Sequence, residues 1–283
     1  DLDRSYYREV EPNAFEYIAP DEASHFHCNV VPKPSPKDIE KMVSAYYAEH
    51  ASVYDNQDLQ VLKRNRYTAA IDARIVKCVT DLNKEKAVQK VMHFACGTGR
   101  RAASIQQLTA LPYEMHGVDL CAEMAEQADG RGLRVEVASL IDIEAHQAWQ
   151  DFDVITLLYA YGHLPNRSIR KHVLHVAQKM LRPGGQFIFD VFDVSDPGEW
   201  GPDSIRQFNE QRLAAQGYEE GDVFYKRSNG DELAFMHYCD RNRLEELVLS
   251  AGFDAVEMTT IGYDQNPGKE SSSGKLFVVA TKL

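Results

Sequence analysis

The chain has 283 residues, of which 44% are hydrophobic and 26% are charged, so it is long enough to bury one large globular core, alone or with an extension. No stretch reaches the roughly 18 consecutive apolar residues of a membrane-spanning helix, and the acidic, proline-bearing first thirty residues lack the apolar segment of a secretory signal. The formal net charge of −12 and the lack of a Lys/Arg-rich run argue against a nucleic-acid partner.

The first third of the chain is predicted to lie outside the core. Residues 1–36 are polar and end in Pro32-Lys-Pro-Ser-Pro36, which predicts an irregular N-terminal extension. A helix is predicted from Pro36 to about residue 54, and a second one over 65–82. We expect residues 37–87 to form a helical cap over the core.

From residue 88 onward, strand-length apolar runs alternate with helix-like segments. The predicted strands are 88–95, 115–118, 133–138, 152–158 and 186–192. The predicted helices between them are 100–108, 122–128 and 167–181. This alternation predicts crossover units and a parallel sheet, so residues 88–283 are predicted to form an α/β core.

The alternation is interrupted at 193–240, which we interpret as an insertion that caps the substrate site. It contains a predicted helix near 203–215 and a predicted hairpin, 222–227 and 232–238, with a type I′ turn at Asn229-Gly230. The core pattern then resumes with a helix over 241–251 and strands over 255–261 and 276–281.

A glycine turn and an acid point to the ligand of this core. Gly97 and Gly99 lie between the 88–95 strand and the 100–108 helix, an arrangement that brings a nucleotide-like ligand against bare backbone. Twenty residues after Gly99, Asp119 ends the next predicted strand. A carboxylate there suits the two hydroxyls of a ribose, so the pattern predicts an adenosine-type cofactor.

From about residue 41 to the end, the motifs and their order resemble the class I S-adenosylmethionine-dependent methyltransferases. The matching segments are 46–55, 91–99, 117–124, 152–164 and 181–187. The resemblance implies a Rossmann-like, seven-stranded, mostly parallel sheet with an antiparallel last strand, an N-terminal helical cap and an inserted helix and hairpin. It also implies S-adenosylmethionine as cofactor and S-adenosylhomocysteine as product.

Three positions depart from the family pattern. His93 stands where the family has an acid, and Ala95 replaces the first glycine of the turn, where alanine fits if its φ is negative. Ser139 replaces the acid that often follows the third strand. We expect its hydroxyl to accept from the adenine amino group, and the amide of Leu140 to serve a ring nitrogen.

The resemblance assigns the cofactor to residues of the helical cap and of the turns that follow the strands. These residues are Tyr47, Tyr54, His93, Ala95, Gly97, Gly99, Asp119, Leu120, Ser139, Leu140 and Tyr159.

The candidate catalytic residues are Tyr159, Tyr161 and His163, because ligands bind beyond the carboxyl ends of the strands in such sheets. His163 is a candidate general base, with a structural role in a turn as the alternative. His237 and Tyr238, on the hairpin, are expected to face the substrate or to pack on the sheet.

No metal site is predicted. The cluster His25-Phe-His27-Cys28 lacks the distal ligand pair of a zinc site. Five scattered cysteines, an odd number, predict reduced thiols and a cytoplasmic location.

The predicted function is methyl transfer to an N or O atom of a small molecule, without a membrane partner; a homodimer is compatible with the sequence. The alternatives are a protein or tRNA methyltransferase and a catalytically silent cofactor-binding module. A dehydrogenase fits less well, because Ala102 occupies the third glycine position of its motif.

Overall fold

The computed structural model describes residues 7–11, 14–17, 27–28, 30, 32–56, 66–144, 149–226, 233–262 and 273–283. Twelve strands lie in this part of the chain: β1 (Tyr7–Glu11), β2 (Ala14–Tyr17), β3 (His27–Cys28), β4 (Lys90–Phe94), β5 (Glu114–Asp119), β6 (Arg134–Val137), β7 (Phe152–Leu157), β8 (Leu181–Phe192), β9 (Asp222–Lys226), β10 (Leu233–His237), β11 (Ala255–Ile261) and β12 (Lys275–Thr281).

Seven α-helices of two turns or more accompany these strands within the same ranges. They are α1 (Pro36–His50), α2 (Arg66–Glu85), α3 (Arg100–Thr109), α4 (Ala122–Asp129), α5 (Arg167–Met180), α6 (Gly201–Glu210) and α7 (Arg241–Ser250). Several begin at a side-chain cap that satisfies an orphan amide, such as Asn166, whose Oδ1 accepts from the amide of Ile169 at 2.9 Å.

The main sheet has seven strands in the order β11-β12-β8-β7-β4-β5-β6. The pairs β8-β7, β7-β4, β4-β5 and β5-β6 are parallel, whereas β12 is antiparallel to both β8 and β11. The structure therefore confirms the predicted seven-stranded, mostly parallel sheet with an antiparallel last strand. Its two faces are covered by two clusters of buried apolar side chains, which explains why most side chains of the central strands are apolar.

The N-terminal segment corrects one prediction, because residues 1–36 contain three short strands where an irregular chain was predicted. β1 pairs with β2, and β3 pairs with β9 to extend the β9-β10 hairpin into a three-stranded sheet. These short strands escaped prediction because β3 is stabilised by a distant partner rather than by its own sequence.

The insertion also differs in detail from the prediction. The helix predicted over 203–215 divides into α6 and a 3₁₀ turn, Leu213–Gln216, because Arg212 adopts a left-handed φ of 52° that ends the helix. The predicted turn Asn229-Gly230 lies outside the described residues. Across the described ranges, no helix is both long and apolar enough to span a membrane.

The chain just before α1 is fastened to the insertion. Lys33 Nζ makes a buried ion pair with Asp222 Oδ2 at 2.6 Å and donates to the carbonyl of Pro165 at 2.7 Å. The amide of Val30 donates to the hydroxyl of Tyr218 at 3.0 Å. These contacts hold α1 over the carboxyl edge of the main sheet.

Candidate functional site

A cavity lies at the carboxyl edge of β4, β5, β6 and β7, beneath α1. It holds about 890 Å³ of space between the protein atoms, part of it open to solvent. It brings together most of the residues that the sequence assigns to the cofactor. Those that line it are Tyr47, Tyr54, Ala95, Gly97, Asp119, Leu120, Leu140 and Tyr159, and the predicted catalytic residue His163 lines it as well.

The turn after β4 is left-handed at three residues, Ala95 (φ 49°), Gly97 (φ 55°) and Gly99 (φ 73°). The expectation of a negative φ at Ala95 is therefore wrong, and this alanine adopts a conformation that costs an L-residue about 1–2 kcal/mol. Gly97 lines the cavity, whereas a Cβ on Gly99 would lie 2.9 Å from Ala128. Gly99 therefore permits close packing of the turn against α4.

Asp119 braces the glycine turn. Its Oδ2 accepts from the amide of Gly97 at 2.7 Å, and its Oδ1 accepts from the amide of Cys121 at 2.9 Å. Burial raises the pKa of this carboxyl, and the bonds from the backbone amides oppose the shift. Each carboxylate oxygen has a second acceptor position, so Asp119 can also receive hydroxyl donors from the cavity.

His93 lies in β4 beneath the turn and is not among the residues that line the cavity. Its Nδ1 lies 2.8 Å from the hydroxyl oxygen of Thr156 on β7, and its Nε2 is buried with no hydrogen-bond partner among the described residues. Burial, together with the nearby His116, lowers the pKa of His93 to about 4. His93 is therefore a neutral group of the sheet at physiological pH.

Ser139 is paired with a residue that the sequence analysis missed. Its hydroxyl donates to Glu40 Oε1 of α1 and accepts from the amide of Ile141 at 3.0 Å. Glu40 lines the cavity, and Lys37 on the same helix contacts Asp142. The helix thus places a carboxylate beside the strand position where the family acid is absent.

A sequence signal for Glu40 does exist. Glu40, Ser44, Tyr47, Ala51 and Tyr54 follow one another at intervals of three or four residues and therefore share one helical face. Of these five residues, only Tyr47 and Tyr54 were predicted to contact the cofactor. Extending the face upstream would have reached the acid.

The two tyrosines of α1 and its C-terminal extension form the roof of the cavity. The rings of Tyr47 and Tyr54 are 5.9 Å apart in an edge-to-face contact. The next residue, Asp55, accepts from Thr98 Oγ1 and from Arg131 Nη2, both at 2.6 Å. The roof is thereby attached to the glycine turn.

His163 ends a 3₁₀ turn after β7 and lines the cavity, with its ring 6.3 Å from that of Tyr47. Its Nδ1 lies 2.8 Å from the carbonyl oxygen of Phe235. A carbonyl only accepts, so Nδ1 carries the proton in the neutral imidazole and Nε2 carries the lone pair. This tautomer can accept a proton at Nε2.

Tyr159 and Tyr161 separate in the structure. Tyr159 lines the cavity with a φ of 59°, and its amide donates to Asp190 Oδ1 at 2.6 Å. Tyr161 is fully buried and stacks on Phe189 with the ring centres 4.7 Å apart. It borders a second cavity, so the structure does not bring Tyr161 to the predicted site.

His237 and Tyr238 are likewise directed elsewhere. His237 borders the second cavity and contacts Asp222 Oδ1 through Nδ1 at 2.8 Å, while the Tyr238 hydroxyl donates to Glu199 at 3.1 Å. Neither lines the first cavity among the described residues. The alternating sequence pattern of the hairpin did not show which of its two faces packs against the rest of the protein.

Glu219, Asp222 and His237 hold ligand atoms within 4.8 Å of one another, a spacing that a metal ion could use. However, Lys33 already pairs with Asp222, and Arg170 pairs with Glu219, so cationic side chains neutralise both carboxylates. In the separate cluster, His25 lies outside the described residues.

Comparison with known proteins matches residues 62–258, more than half of the chain, to the family described as "Methyltransferase domain". Over 113 residues, the chain is 27% identical to the 27-O-demethylrifamycin SV methyltransferase of Amycolatopsis mediterranei (strain S699). This match spans 38% of the chain and only 40% of the length of that relative.

Two solved structures share the fold. The DhpI-SAM-HEP complex has a TM-score of 0.62 and 16% identity, and the match covers 87% of this chain and 99% of that one. The Burkholderia thailandensis 1,6-didemethyltoxoflavin-N1-methyltransferase, solved with 1,6-didemethyltoxoflavin and S-adenosylhomocysteine, has a TM-score of 0.55 and 14% identity, with 98% of both chains covered.

Proposed function

We propose that this chain, which belongs to the methyltransferase-domain family, is an S-adenosylmethionine-dependent enzyme that methylates an N or O atom of a small molecule. The observation that carries the proposal is the roofed cavity at the carboxyl edge of the sheet. In it, Gly97, Asp119, Tyr47 and Tyr54 surround one space.

Within this proposal, the cofactor lies along the carboxyl edge. Gly97 would let the cofactor approach the backbone. Each oxygen of Asp119 already accepts one bond from a backbone amide, and its second acceptor position would receive a ribose hydroxyl. Ala95, Leu120 and Leu140 form apolar walls, while Tyr47 and Tyr54 cover the sulfonium end. The methyl donor supplies the reactive group, so the protein contributes alignment and desolvation.

The adenine amino group is assigned to Glu40. The family acid that would accept from this group is replaced by Ser139, whose hydroxyl donates to Glu40 instead. A carboxylate accepts hydrogen bonds without donating any, so it favours an amino substituent over an oxo group on the purine ring. Recognition of the adenine base would then require α1 to lie over the cavity, because α1 carries Glu40.

A small acceptor is favoured by the roof. The acceptor has to reach a methyl group that lies under α1 and next to the turn bound by Asp55. A folded macromolecule cannot present its surface there without displacing the helix. The net charge of −12 also opposes the approach of tRNA.

We propose in addition that residues 37–87 and 193–240 form the cap over a core of 88–283.

His163 is proposed as the general base. It lines the cavity in the tautomer that leaves the Nε2 lone pair as the proton acceptor. An acceptor hydroxyl would lose its proton to this nitrogen as the methyl group is transferred, and an acceptor ammonium would lose a proton to it beforehand, because only the neutral amine has a lone pair that can attack the methyl group.

The test begins with calorimetric titration of S-adenosylmethionine and S-adenosylhomocysteine, for which we expect micromolar affinity. Methyl transfer is then measured with radiolabelled cofactor against small amines and phenols, bulk tRNA and a protein extract. Label that enters only small molecules supports the proposal. Label that enters tRNA or protein overturns the choice of acceptor, and the lack of any cofactor binding overturns the assigned site.

A further inference from the structure

Two cations lie against the ring of Tyr159, a residue that lines the cavity. The centre of this ring lies 4.6 Å from Arg101 Cζ and 4.4 Å from Lys275 Nζ. Arg101 belongs to the first turn of α3, directly after the glycine turn. Two positive charges therefore lie within 5 Å of one residue that lines the cavity.

The topology explains why Lys275 reaches this edge. β12 runs antiparallel to β8, and its first residue, Lys275, pairs with Phe192, the last residue of β8. The start of β12 therefore lies at the carboxyl edge of the parallel strands, where ligands of this fold bind. Nothing in the local sequence around Lys275 signals this position.

Lys275 has few acceptors for its three donor hydrogens. Its ammonium lies 3.4 Å from Asp190 Oδ2, a long contact for a buried pair. Asp190 already accepts from the amide of Tyr159 at 2.6 Å and from the hydroxyl of Tyr67 at 2.9 Å. The rings of Phe192 and Tyr67 lie 4.0 and 5.1 Å from the ammonium and stabilise its charge only in part.

The guanidinium of Arg101 also has a buried donor that no acceptor satisfies within the described residues. Its Nε makes a long ion pair with Asp72 Oδ1 at 3.7 Å, beyond hydrogen-bond distance, and its Nη1 is buried without a hydrogen-bond partner among the residues that the structure describes. Buried donors without acceptors are costly, and structures seldom retain them without a ligand or water. An anion beside the Tyr159 ring would satisfy donors of both residues.

We propose that Arg101 and Lys275 form a subsite for an anionic group, a carboxylate or a phosphate ester, of the methyl acceptor. This inference rests on the proposed function, because it places the acceptor next to Tyr159. The planar guanidinium binds two oxygens of such a group, and the ammonium supplies a point charge. The acceptor is then an acidic metabolite whose nucleophilic N or O atom lies in the main cavity.

The experiment uses the full chain saturated with S-adenosylhomocysteine in a low-salt buffer. Sodium benzoate and inorganic phosphate are titrated separately by calorimetry, so that carboxylate and phosphate recognition are distinguished. Arg101→Met and Lys275→Met remove the two charges. Lys77→Met and Arg134→Met are the matched controls, because these side chains are 76% and 69% exposed and lie on α2 and β6.

We expect saturable millimolar binding of at least one anion, weakened about tenfold or more in each subsite variant and unchanged in the controls. Binding of S-adenosylhomocysteine should persist in Arg101→Met. If the cofactor product binds and neither anion does, or if both subsite variants bind anions as the wild type does, the subsite is overturned. If S-adenosylhomocysteine does not bind to the wild type, the proposed function fails instead. Should Lys275→Met not fold, Arg101→Met decides the result.

Discussion

His93 should make the stability of the fold fall in mild acid. In the unfolded chain this imidazole titrates near 6.5, whereas burial lowers its pKa to about 4 in the folded protein. Above pH 6.5 both states are neutral, and the group has no effect on stability. Below that value the unfolded state binds a proton that the folded state excludes, so the free energy of unfolding falls by about 1.4 kcal/mol per pH unit. The loss is about 2 kcal/mol at pH 5 and about 3 kcal/mol near pH 4.

The measurement is urea unfolding, followed by tryptophan fluorescence at pH 7, 6 and 5, of the wild type and of His93→Asn. Asparagine keeps a polar partner for Thr156 and takes up no proton. Burial also lowers the pKa of His237, but this contribution is common to both proteins and cancels in the difference. We expect the stability difference to change by about 2 kcal/mol between pH 7 and pH 5. Parallel curves would refute a neutral, buried His93.

Three further changes test the site. In the wild type, we expect S-adenosylhomocysteine to bind about tenfold or more tightly than its 6-oxo analogue, and Glu40→Gln should bring this affinity ratio towards unity, because glutamine can also donate a hydrogen bond. Calorimetry measures both affinities, and an unchanged ratio contradicts the adenine assignment. Ala95→Gly should leave the free energy of unfolding unchanged or raise it by up to about 1 kcal/mol, whereas Ala103→Gly within α3 should lower it by about that amount; equal losses in urea melts would contradict the left-handed φ. Once an acceptor is found, His163→Asn should lower kcat about 100-fold while S-adenosylhomocysteine affinity stays within about threefold, and full turnover excludes the base.

The strands and helices of the core could be predicted from the sequence, because the signals for them are local. Strands β4, β7, β8 and β12 each contain a short apolar run, and the helix after Gly99 begins where the glycine turn predicts. These patterns depend on neighbours within a few residues, so the main sheet and the cavity residues Gly97 and Asp119 could be placed.

The remaining contacts join residues that are far apart in the chain. Glu40 meets Ser139 across 99 residues, and Tyr67 meets Asp190 across 123. The helical face points to Glu40 itself, but a single sequence contains no signal for either pairing, because each partner alone is an ordinary polar residue of its element. The same limitation explains why Tyr161 was grouped with Tyr159, since residues two apart in a turn can face different cavities.

An ion pair anchors each end of the helix over the cavity, but the pair at its start is buried and the pair at its far end is partly exposed. We expect this difference to determine where the cavity opens for ligands to leave. At its start, Lys33 and Asp222 are 6% and 0% exposed, whereas at its far end Asp55 and Arg131 are 19% and 34% exposed. Water and dissolved ions compete for the second pair and hardly reach the first. We therefore expect the helix to open first at its Asp55 end, beside the glycine turn, and the release of S-adenosylhomocysteine to become faster as ionic strength rises.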